Sequence, residues 1–197
     1  MFLPQTDIVL PGTLPLVFTR RAESGYTAGR WFGPSWSSTI DEHLEIDPEG
    51  VVLVTADGLV LPYPHPAPGV PVFATSGPRW TLDRTPEGDY AVTDPALGRI
   101  RFFAAPTGAE DDGDGYGHAV IDRVEDRNGN TITFEYDAEG IPLGIAHSGG
   151  YHLRFETVEG RVTGLHLTGG PRVLAYGYTH GNLTEVVNSS GLPLRLA

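Results

Sequence analysis

A chain of 197 residues with a formal charge of −12, no Lys and 13 scattered Arg argues against non-specific nucleic-acid binding, which needs clustered cations on the phosphates. The absence of Cys excludes disulfides and thiolate metal sites. Met1-Phe2-Leu3-Pro4-Gln5 lacks the pattern of a secretory signal, and apolar runs such as Val51–Val54 are far too short to span a bilayer. The 40% apolar content, with eight Phe, eight Tyr and three Trp, can supply a core, and the 26 Gly and 17 Pro stand between short apolar runs, which predicts an all-β fold with negligible helix.

In chain order, residues 1–106 read as irregular β structure. Strands are expected at Leu16–Arg21, Trp36–Ile46, Val51–Ala56, Leu59–Tyr63, Tyr90–Asp94 and Arg99–Ala104. Asp57-Gly58 is a strong hairpin signal. The proline-rich stretch Pro62–Pro71 cannot donate a regular ladder and is expected as an extended surface connection. An acidic Gly/Asp-rich loop follows at 107–119, and residues 120–197 form a third segment.

That third segment repeats. Phe134, Phe155 and Tyr176 fall 21 residues apart, as do Ile132, Leu153 and Leu174, and Gly149, Gly170 and Gly191. Each unit reads as strand, glycine turn, strand, glycine turn, with Ile132, Phe134 and Tyr136 on one face. The turns fall at Glu139-Gly140, Glu159-Gly160 and His180-Gly181, where glycine adopts positive φ without steric cost. The expected architecture is an antiparallel β-hairpin meander forming a curved sheet. The period puts the three aromatics side by side on adjacent rungs.

Phe134-Glu135-Tyr136-Asp137-Ala138-Glu139-Gly140 resembles the YD repeat of bacterial Rhs proteins, and Asp126-Arg127-Asn128-Gly129-Asn130 is similar to the turn that introduces such repeats. The later units are degenerate: Thr157-Val158-Glu159-Gly160-Arg161-Val162 lacks Tyr-Asp, and Tyr178-Thr179-His180-Gly181 keeps Tyr and Gly but loses the Asp. Leu10-Pro11-Gly12-Thr13-Leu14-Pro15-Leu16 with Arg20 just beyond, Phe32-Gly33-Pro34-Ser35-Trp36 and Asp57-Gly58 look like the segment that precedes the repeats in that family. The resemblance implies a coiled β-sheet closing into a hollow shell around a carboxy-terminal toxin of interbacterial competition. It implies a non-catalytic structural role, so no enzyme is expected. A compact chain of this size has a radius of gyration of roughly 16 Å, too small for a chamber, so the chain is expected to carry only the opening of the wall.

Other chemistry weighs little. His152 and His166 could approach across neighbouring strands, but the seven His show no compact ligand spacing and read as surface groups. Glu110-Asp111-Asp112-Gly113-Asp114-Gly115-Tyr116-Gly117 fails as an EF-hand loop, because Arg123 stands where a bidentate Glu is needed. Gly33-Pro34-Ser35-Trp36-Ser37 resembles a nucleophile elbow but lacks the final Gly and a following helix. Trp31, Phe32, Trp36 and Trp80 could form a sugar-stacking platform, which motivates a carbohydrate-binding or adhesion module as the alternative, yet such rings are more often core.

No catalytic, cofactor-binding or metal-ligating residue is assigned, and no cofactor is expected. The expected partners are the remainder of a shell or another copy through sheet edges, an enclosed toxin and a secretion machine, without nucleic acid or membrane. The expected location is the bacterial cytoplasm before export by a specialised system.

Overall fold

The computed structural model describes residues 2–105 and 116–196, and every regular element among them is a β-strand. The first strands are β1 (Phe2–Leu10), β2 (Leu16–Glu23), β3 (Trp36–Ser38), β4 (His43–Asp47), β5 (Gly50–Val54) and β6 (Val60–Tyr63). Then come β7 (Val72–Phe73), β8 (Thr81–Arg84), β9 (Tyr90–Asp94), β10 (Arg99–Phe103), β11 (Gly117–Asp126) and β12 (Thr131–Tyr136). The last are β13 (Pro142–His147), β14 (His152–Val158), β15 (Arg161–Leu167), β16 (Arg172–Thr179), β17 (Asn182–Asn188) and β18 (Pro193–Arg195). The fold is all-β and its pairings are antiparallel.

The chain divides into two compact units, Met1–Asp41 with Ile132–Ala197, and Glu42–Thr131. The expected strand Trp36–Ile46 is broken between β3 and β4. There the Asp41 amide bonds the Ser38 carbonyl while the Ser38 hydroxyl donates to the Asp41 carboxylate, a turn that outcompetes the ladder. Strands absent from the sequence expectation are β1, β7, β8 and β11, the last beginning at Gly117 inside the expected loop 107–119. β1 holds Pro4, a residue that ladders tolerate on an edge strand, and β1 pairs only with β2 among the described residues.

In the first unit, β1, β2 and β3 form one small sheet, and β12 to β18 form a meander in sequence order. Within each hairpin the repeat is kept: Phe134 pairs Ile145, Phe155 pairs Leu165 and Tyr176 pairs Val186. A bulge recurs at Glu135/Tyr136, Glu156/Thr157 and Gly177/Tyr178. Between hairpins the register moves. Ile145 faces Leu153 and Leu165 faces Leu174, so each aromatic sits two residues beyond the row of the one before. The side-by-side expectation is therefore corrected: the aromatics are staggered. The face they share is buried, through Ile132, Phe134, Ile145, Leu153, Leu165, Leu174, Tyr176 and Val186.

The turns explain the period. Glu159-Gly160 and His180-Gly181 are two-residue loops between directly paired strand ends, with positive φ at both positions. This is the mirror-image turn that suits the right-handed twist of a hairpin. The loop at Asp137–Ile141 is longer: Gly140 alone is left-handed, its amide bonds the Asp137 carbonyl, and the Asp137 carboxylate accepts the Ile141 amide at 2.8 Å.

In the second unit, β7 to β11 run in sequence order, β4 pairs β11, and β5 and β6 extend from β4. The Asp57-Gly58 hairpin joins β5 to β6, closed by the Gly58 amide on the Thr55 carbonyl. Leu44, Val51, Leu53, Leu61, Leu82, Tyr90, Val92, Phe103 and Ile121 form its core. The Pro62–Pro71 stretch starts within β6 and is largely exposed beyond Tyr63.

Candidate functional site

Arg20, in the middle of β2, is 1% exposed. Alternation along β2 turns Leu16, Phe18, Arg20 and Ala22 inward, so a cation sits on an apolar stripe. Burial of a lone charge would be prohibitive, and the surroundings answer it. Asp7 on β1 takes Nε and Nη2 of Arg20 in a fork, the second contact at 2.8 Å. The Tyr176 hydroxyl on β16 donates to the same carboxylate at 2.7 Å. Above the guanidinium lie the rings of Phe32, Trp36 and Tyr176, with centroids at 5.3, 4.9 and 4.8 Å.

This cluster fastens the front segment to the hairpin meander. Phe18 packs against Phe155 at 5.6 Å, and Phe32 meets the Tyr176 ring edge-on at 5.0 Å. The Val162 amide bonds the Trp31 carbonyl, and His147 Nε2 lies 2.6 Å from the Leu14 carbonyl. Burial, reinforced by the Asp7 charge, pushes the Tyr176 phenol well above its ordinary range, and burial pushes Tyr178 up as well.

The second unit holds its own ion pair, between a buried Glu42 and a half-buried Arg101. Glu42 Oε1 lies 2.6 Å from Arg101 Nε. Burial raises the Glu42 carboxyl above the usual range, while Arg101 and a backbone hydrogen bond from Ala56 pull the other way. Tyr63 is pushed up to about 12 by burial. On the surface of the same unit, one ligand atom each from His43, Glu45 and His118 lies within 4.8 Å of the others.

The residues singled out in the sequence separate. His152 pairs with Glu135 and His166 with Glu156, each at 2.8 Å, so the two imidazoles serve different carboxylates. Ser35 precedes strand β3 rather than a helix, and its carbonyl accepts the Glu23 amide. Trp31, Phe32 and Trp36 are buried at 4%, 0% and 6% exposure, which removes them from any exposed platform. Trp80 is half-buried beneath the Arg101 guanidinium. Of the acidic stretch Glu110–Gly117, residues 110–115 lie outside the described residues. Sequence reasoning missed Asp7, Glu42 and the His43 group, and took Arg20 only as part of the family-like front segment, not as a buried cation. The one available signal was Arg20 at an inward position of an alternating strand.

Residues 1–63 match the model of a domain of unknown function, DUF6531. The chain is similar to the double-stranded DNA deaminase toxin A of Burkholderia cenocepacia (strain H111), with 31% identity over 97% of this chain and 13% of that protein. It spans about one eighth of the length of the toxin it matches. The DUF6531 match takes in Asp7, Arg20 and Trp36 of the fastening cluster, and also Glu42, His43 and Glu45. The expectation that no enzyme is involved is corrected by the same finding, since the toxin it resembles is by name a deaminase and therefore an enzyme.

Proposed function

We propose that this chain is a wall segment of an Rhs-type β-shell, which encloses a toxic domain used in competition between bacteria. The observation that carries the reading is the constant two-residue stagger between successive hairpins, Ile145 to Leu153 and then Leu165 to Leu174. A fixed register step tilts strands against the direction in which a sheet grows, and such shear is what lets a sheet curl toward closure. One hairpin added per 21-residue period lengthens the wall without changing its geometry. The similarity to a named toxin supports a toxic cargo, and the enzymatic name of that relative supports an enzymatic activity in the protein to which this wall belongs.

The wall reading makes β18 a growing edge. Leu192, just before it, and Leu194, on it, are 68% and 47% exposed, and Leu194 continues the row Tyr176–Val186 of the buried face. An apolar edge of this kind invites another strand. Sedimentation of the chain is expected to show concentration-dependent association that Leu194→Lys suppresses. A strictly monomeric species whose β18 amides are already protected from exchange would refute it. Electron microscopy of the whole toxin polypeptide is expected to show a hollow shell, and a solid particle would refute enclosure.

A further inference from the structure

We propose that His43, Glu45 and His118 bind one divalent transition-metal ion of the zinc class and thereby clamp β4 to β11. Alternation along β4 puts His43 and Glu45, two positions apart, on one face of the strand. Antiparallel pairing sets His118 of β11 directly opposite Glu45, and Val120 opposite His43. His118 is thus the diagonal neighbour of His43, within reach for long side chains. The rings are 5.5 Å apart between centroids, and His43 Nε2 is 3.4 Å from Glu45 Oε1. All three ligand atoms lie within 4.8 Å of one another, a spread that small side-chain rotations close onto a single ion.

The donor set selects the ion. Two imidazole nitrogens and one carboxylate oxygen suit zinc, nickel or copper, whereas calcium and magnesium prefer all-oxygen shells. Three protein ligands leave a fourth tetrahedral position open to water or another donor. The two strands are joined by ligands from both sides, so bound metal favours the paired state over the unfolded chain. The set differs from the His and Cys ligands of the zinc deaminases, because this chain has no cysteine.

The test is equilibrium dialysis of the tag-free 197-residue chain against zinc ion alone, with calcium as a comparison. The expected result is saturable binding of one zinc per chain, no comparable calcium binding, and a higher thermal midpoint with zinc. His118→Ala and Glu45→Ala, both at exposed positions, are expected to weaken zinc binding at least tenfold with unchanged circular dichroism. His152→Ala, on β14 of the first unit and outside the ligand set, is expected to leave it unchanged. Binding no tighter than about 1 mM, or equal loss in His152→Ala and His118→Ala, would overturn the site.

Discussion

The Tyr176 hydroxyl reaches the Asp7 carboxylate at 2.7 Å across 169 positions of sequence. It thereby joins the first strand of the chain to the third hairpin of the meander. Asp7 also forks Arg20, so one carboxylate neutralises a buried cation and accepts a buried phenol. Removing the carboxylate and removing the phenol should have unequal costs. Asp7→Ala strands Arg20 without a counter-ion and is expected to cost about 3–5 kcal/mol. Tyr176→Phe removes one hydrogen bond to a charged group and is expected to cost about 2 kcal/mol. Urea denaturation of the two variants checks the order, and equal costs would deny the fastening role of the ion pair.

Gly29 is the tightest point of the front segment. A Cβ placed there would come within 3.0 Å of the carbonyl oxygens of Gly33, Pro34 and Trp36, all backbone atoms that cannot swing aside. The Gly29 amide meanwhile bonds the Pro34 carbonyl at 2.9 Å, which holds the loop closed over it. Gly29→Ala is expected to destabilise the first unit by about 3 kcal/mol. The expected signature is a lower denaturation midpoint with altered fluorescence from Trp31 and Trp36.

The two-residue turns contain a correctable strain. Glu159 and His180 hold φ at 50° and 51°, a region that costs a side-chain-bearing residue roughly 1–2 kcal/mol. Glycine removes that cost but adds about 0.5–1 kcal/mol of unfolded-state freedom. Glu159→Gly and His180→Gly are each expected to stabilise the chain by about 0.5–1 kcal/mol net, measured as a raised denaturation midpoint. A loss of stability would mean that these side chains make contacts worth more than the strain.

Glu42 predicts a pH dependence in the second unit. Its carboxyl is raised in the fold by burial, so the folded unit holds the proton more tightly than the unfolded chain. The contribution of Glu42 is thus full below the ordinary glutamate value and is lost as pH rises through the folded value. Denaturation between about pH 4 and pH 8 should show native stability falling relative to Glu42→Gln as pH rises. A difference that does not change with pH would refute this.

The β class and the hairpin period were determined by sequence alone, because both rest on local rules. Side chains alternate along a strand, and glycine supplies positive φ, as at Gly140, Gly160 and Gly181. Those rules reach only a few residues along the chain. The meetings of Asp7 with Tyr176 and of His43 with His118 depend on partners far away in sequence. Tertiary packing decided these. Which distant side chain neutralises Arg20, or shares a face with His43, is set by register and burial between strands, and no local spacing encodes it.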